Sequence, residues 1–139
     1  MKKIAILVLA AFGLAGCAVY NVAGQFEGTG QAFVGTVTVA LGDGGSLEVT
    51  SLDGRLHCTG TSQVTKRPSG YTTVGGQGRA QATCNDGTTF KVDFIQSSES
   101  GGSGQGIDSN GQIVTLFFDK SEGMARTRMN RQRLDALVQ

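Results

Sequence analysis

His57 is the single histidine of the sequence and so the one side chain that titrates near neutral pH without perturbation. A serine nucleophile using it as a base would call for a Gly-x-Ser-x-Gly elbow or a comparable device, and no such elbow is present. Strand alternation puts His57 on the same side as Arg55 and Thr59, a polar face where a solvated histidine is at home. Asp43, Asp53, Asp86, Asp108 and Asp119 are scattered, with neither an Asp-x-Asp calcium loop nor a close carboxylate pair; most read as turn formers. No Cys-x-x-Cys occurs among the three cysteines, so no metal and no cofactor is expected. Three Gly-x-Gly segments begin at Gly28, Gly76 and Gly102. None has the third glycine or the strand-to-helix setting of a phosphate cradle. They read as bends or close backbone approaches within strands, with a ligand-contacting groove as the second reading.

Charge separates the C-terminus from the rest. Residues 17 to 119 carry five basic and nine acidic side chains, whereas residues 120 to 139 carry five basic and two acidic. Residues 121 to 138 are expected to form a helix, capped by Ser121, with Glu122 and Arg126 paired at i, i+4 and Leu134, Leu137 and Val138 as an apolar edge against the body. Arg126, Arg128, Arg131 and Arg133 are the candidate contact for anionic lipid or envelope polymer, although the simpler reading is a solvated helix face.

At the other end Lys2 and Lys3 precede the apolar run from Ile4 to Leu14, the charged and hydrophobic regions of an export signal. The run is far short of the roughly 20 residues a spanning helix needs. It closes on Leu14-Ala15-Gly16-Cys17, which resembles the lipobox of bacterial lipoproteins. That resemblance implies removal of residues 1 to 16 and acylation of Cys17. Ala18 and Val19 lack the aspartate that the best-known sorting rule associates with inner-membrane retention, so the resemblance further implies the outer membrane. With Cys17 committed to lipid, Cys58 and Cys84 remain as an even pair in an oxidising compartment and are expected to form a disulfide.

These residues need a scaffold, and the sequence points to a sheet. Asp43-Gly44, Asp53-Gly54, Asp86-Gly87 and Asn110-Gly111 punctuate segments rich in Val, Thr, Ile and Phe, as hairpin turns of type I′ do. Strands are expected near 33 to 41, 46 to 51, 55 to 61, 77 to 84, 88 to 96, 103 to 108 and 112 to 118. Phe33, Val37, Val39 and Leu41 share one face, as do Phe90, Val92 and Phe94. Cys58 and Cys84 both fall on apolar faces, where neighbouring antiparallel strands would let them bridge. The longest exposed connection is then the one around Lys66-Arg67-Pro68-Ser69-Gly70.

The reading is a mainly β protein: an antiparallel meander, open sandwich or small barrel of about seven strands with a C-terminal helix. Its parts are a signal peptide (1 to 16), a lipidated N-terminus and linker (17 to 32), a β domain (33 to 119) and a basic helix or tail (120 to 139). The body resembles small Gly-rich, cysteine-bridged β lipoproteins of the bacterial envelope, a likeness that implies a fold and no reaction. Function is expected to be non-catalytic, a structural or binding role at the membrane with no nucleic-acid partner. The alternatives are a small-ligand-binding barrel, which a deep apolar cavity would favour, and an envelope hydrolase, which charged groups converging on His57 would favour.

Overall fold

The computed structural model describes residues 17 to 40 and 44 to 138, so the signal segment, Leu41 and Asp43 lie outside the described residues. Eight strands follow one another: β1 (Cys17–Phe26), β2 (Gln31–Ala40), β3 (Gly45–Ser51), β4 (His57–Lys66), β5 (Gln77–Cys84), β6 (Thr89–Gln96), β7 (Gly101–Asp108) and β8 (Ile113–Asp119), then helix α1 (Glu122–Val138). Each strand pairs antiparallel with the next, and β1 pairs with β8, closing the barrel. Seven strands are those read from the sequence. The eighth is β1, where the sequence reading placed a linker, and without it the sheet would have two open edges. Its pattern is blurred because both faces are apolar: Tyr20, Val22 and Phe26 point into the barrel, while Ala23 on the outer face is buried as well.

The turns correct a second expectation. Gly54, Gly87 and Gly111 have φ of 75°, 89° and 78°, yet no described residue other than glycine has a positive φ. A type I′ turn needs two such residues. Here the Gly87 N–H donates to the Cys84 carbonyl (3.0 Å) and the Cys84 N–H to the Thr88 carbonyl (2.8 Å); Asp108, Gly111 and Gln112 repeat the pattern. These are three-residue loops in which an ordinary type I turn is followed by a left-handed glycine. The carboxylates hold them, Asp86 accepting from the Thr88 N–H (2.9 Å) and Asp108 from the N–H groups of Asn110 (2.9 Å) and Gln112 (2.8 Å).

Inside, the barrel divides into two halves. At the end carrying these short turns, Phe26, Phe33 and Phe90 pack with centroids 5.3 to 6.3 Å apart. The Cys58–Cys84 disulfide spans directly opposed residues of β4 and β5 and belongs to the same buried core. Glycine makes room for rings: a Cβ on Gly24 would stand 2.5 Å from the Phe33 ring, and one on Gly78 would stand 2.2 Å from that of Phe94. The Gly-x-Gly segments beginning at Gly76 and Gly102 therefore serve close packing within strands.

Outside, α1 covers β1, β2 and β8 through Ala125 and Met129, which bury Ala23 and Ala32 with Val34 and Phe117 alongside. The side chains of Leu134, Leu137 and Val138 lie outside the described residues. Ser121 caps the helix, accepting from the Met124 N–H (3.4 Å), and Arg126 pairs with Glu122 at 2.9 Å.

Candidate functional site

The inward side chains of the other half do not fill it. A cavity of about 560 Å³ opens at the end where β1 and β3 begin and β2 and β4 finish. Its wall is built by strand alternation: Tyr20 and Val22 from β1, Val37 from β2, Leu47 from β3, Phe94 from β6, and Leu116 and Phe118 from β8. Phe118 stacks edge-on against both Tyr20 and Phe94, with centroids 5.4 Å apart in each pair. Space remains because several other inward positions are small. Ala18 and Ala80 line the cavity, while at Gly102 and Gly104 of β7 the neighbouring strands, Phe118 and Val92 close in on the backbone.

Apart from Tyr20, whose ring carries a hydroxyl, the polar side chains gather at the rim, where Gln63, Arg67, Thr73, Gln77 and Gln96 line the opening. The connection from 67 to 76, expected as the longest exposed loop, folds against this rim, and Pro68 and Thr73 contribute to the lining. Two backbone hydrogen bonds stitch it down, Gly75 N–H to the Gln96 carbonyl and Gln96 N–H to the Gly76 carbonyl, both 2.8 Å. The β6–β7 turn adds Glu99, whose carboxylate accepts from the hydroxyls of Thr72 and Thr73, the latter at 2.9 Å. Those hydroxyls hold the Glu99 carboxyl below its usual range. Tyr71 and Val74 remain exposed on the loop.

Cys17 stands at this same rim. It begins β1, is paired in register with Ala40, and is followed by Ala18 in the cavity wall. Cys58 and Cys84, by contrast, lie toward the far end. The structure therefore separates the three cysteines into one at the mouth and two in the closed half.

His57 lies elsewhere, on the outer face of β4, half exposed, with Nδ1 2.9 Å from the Thr50 hydroxyl and Nε2 3.6 Å from Glu48. It takes no part in lining the cavity. Asp53 and Asp86 sit in exposed turns, each held below the usual carboxylate range by hydrogen bonds, chiefly from the Ser51 hydroxyl and the Thr88 N–H respectively. Asp119 is buried and accepts from the Ser121 N–H at 2.9 Å, with Arg128 at 3.4 Å.

The four helix arginines thus do not act as a set. Arg126 is tied to Glu122 and Arg128 to Asp119, whereas Arg131 and Arg133 are exposed. The helix also starts at the mouth and reaches Ala32 at the far end of β2, so its later arginines lie away from the rim. Of the cavity residues, sequence alternation marks Val37, Val39 and Phe94 as strand core, while Ala18, Tyr20 and Val22 fall in the stretch it assigns to a linker. Arg67 had been read only as part of a loop. The available signal was small Ala18 and Ala80 beside strands bearing Phe118 and Phe94.

The chain is similar in structure to a de novo designed fluorescence-activating β-barrel, at 16% identity over 77% of this chain and 94% of that one, with a TM-score of 0.55. It is also similar to a redesigned β-barrel, at 17% identity over 76% and 90%, with a TM-score of 0.54. At such identities the likeness is one of fold. No protein-family model matches the sequence, and no curated protein does.

Proposed function

We propose that this protein is a non-catalytic lipoprotein of the bacterial envelope, tethered through acyl chains on Cys17 at the outer membrane, whose open barrel end takes up a small apolar ligand. The observation that carries the binding half is the cavity of about 560 Å³ with apolar walls and a polar rim. Such a volume is within the usual range for small-molecule sites, and an eight-stranded barrel is just wide enough to hold one ligand. The lipobox resemblance supports the tether, and the position of Cys17 beside Ala18 gives it a consequence. Acyl chains there would hold the mouth against the bilayer and the closed half away from it. A structural role at an anionic surface, through Arg131 and Arg133, is the second reading, and their exposure favours it.

Two measurements test the two halves. Mature protein made without residues 1 to 16 should bind a dye that brightens in apolar surroundings. Val39→Trp, which sets an indole into the mouth, should weaken that binding about tenfold or more, a loss of ~1.4 kcal/mol. Equal binding by parent and variant, or no binding by the parent, would overturn the cavity reading. Intact mass of the native protein should give an N-terminus at Cys17 carrying acyl groups; an unmodified Cys17 would end the tether.

A further inference from the structure

We propose that the ligand is a single-chain amphiphile with an anionic head, its chain in the barrel and its carboxylate or phosphate at Arg67. This rests on the cavity-binding reading above and narrows it to one chemistry.

The first argument is shape. From Ala18 to Val22 the cavity wall runs about 13 Å along β1, at the ordinary rise per strand residue. The wall over that depth is aliphatic or aromatic, while the polar residues gather at the opening. A compact polar molecule would leave its own groups unpaired against such walls, at the cost of desolvation. A chain with one polar end matches the wall and the rim together. The barrel floor is already filled by Phe26, Phe33 and Phe90, and an eight-stranded barrel is of a width to hold one small ligand.

The second argument is charge. Arg67 is the single cationic side chain lining the cavity, and it makes no ion pair among the described residues. Lys66 and Lys120 stand at the same end, as do Glu99, Glu122 and the buried Asp119, of which Glu122 is paired with Arg126 and Asp119 with Arg128. Arg67, which no described acid engages, is the lining group that draws an anionic head to the opening and repels a cationic one. Guanidinium is more weakly hydrated than ammonium and fits the two oxygens of a carboxylate or phosphate, which makes Arg67 the binding group rather than Lys66.

The test is displacement of the apolar dye from mature protein by four amphiphiles sharing a dodecyl chain: dodecanoate, dodecyl phosphate, dodecanol and dodecyltrimethylammonium. At least one anion should displace the dye at about a tenfold lower concentration than the alcohol, and the ammonium should be weakest. The order of the two anions tells a carboxylate ligand from a phosphate one. Arg67→Gln should erase the advantage of the anions over dodecanol, Arg67→Lys should restore part of it, and Lys66→Gln should matter less than Arg67→Gln. Displacement independent of head charge, or an anion preference that survives Arg67→Gln, would overturn the inference while leaving the cavity reading intact. Failure of the dye itself to bind would remove both.

Discussion

Replacing Arg128 by glutamine separates a structural arginine from a surface one. Asp119 is buried to 3% of its side-chain surface, and Arg128, 28% exposed, places Nη2 3.4 Å from its Oδ2. The carboxylate has other donors, the Ser121 N–H at 2.9 Å and the Ser100 hydroxyl at 3.3 Å, so the loss is partial. Breaking a fully buried ion pair costs about 3 to 5 kcal/mol, and an exposed one about 0 to 1. With one partner buried and the other a quarter exposed, about 2 kcal/mol is expected for Arg128→Gln. For a domain of this length that corresponds to a fall of roughly 8 °C in Tm. Arg131→Gln and Arg133→Gln, on exposed positions, should each stay within about 0.5 kcal/mol. Thermal unfolding followed by circular dichroism gives all three values, and a double-mutant cycle with Asp119→Asn should return a coupling of about 1 to 2 kcal/mol. If Arg128→Gln melts with the parent, the pair contributes nothing and this account of how the helix start is fastened is wrong.

The disulfide closes a loop of 26 residues, which on the chain-entropy account is worth about 3.5 kcal/mol; reductant should move the urea midpoint down by a corresponding amount, and an unchanged midpoint would contradict it. Glu99 is a carboxylate whose folded pKa lies below its ordinary 4.5. Its hold on the 67 to 76 loop is therefore fully present above pH 4.5 and is lost as pH falls through the lower folded value. Hydrogen exchange should show the amides of Thr73 to Gly75 protected at pH 6 and loosened by Glu99→Gln at that same pH, with global stability little changed; equal protection in the variant would show that the backbone bonds to Gln96 suffice.

The strands most legible in the sequence were those with one wet face. In β5, Ala80, Ala82 and Cys84 are buried and alternate with exposed Arg79, Gln81 and Thr83, and β6 does the same with Phe90 and Val92. Alternation therefore identified both strands and placed both cysteines inward. It failed in β1, which a second layer covers; β8, covered too, is placed by the Asn110-Gly111 turn before it. Ala23 in β1 and Phe117 in β8 face outward beneath the helix, so their strands lose the polar half of the pattern. Because β1 was not recognised, closure was not decided, and without closure a cavity has no walls. The helix itself was legible from Ser121, Glu122 and Arg126, but its packed face was not: Ala125 and Met129 are two residues at i, i+4 among arginines, too thin a stripe for periodicity to detect. The turns were found and their type mistaken, since Asp-Gly suits either a two-residue loop or the end of a three-residue one, and only the hydrogen-bond register tells them apart.

The uneven distribution of packing suits the proposed binding role. An apolar void lowers stability in proportion to its volume, and a barrel with no use for one could fill it by enlarging Ala18 or Ala80. Here the aromatic trio, the disulfide and the carboxylate-held turns are gathered in one half of the barrel, where they fix strand register for its full length. Register set at the far end carries along each strand, so the mouth half keeps its shape with fewer internal contacts of its own. The loop from 67 to 76 is then fastened to the rim by Glu99 and Gln96 rather than by side chains reaching into the void. An open half held in shape by a closed one is the arrangement a preformed binding site requires, because a ligand that enters it meets walls already ordered.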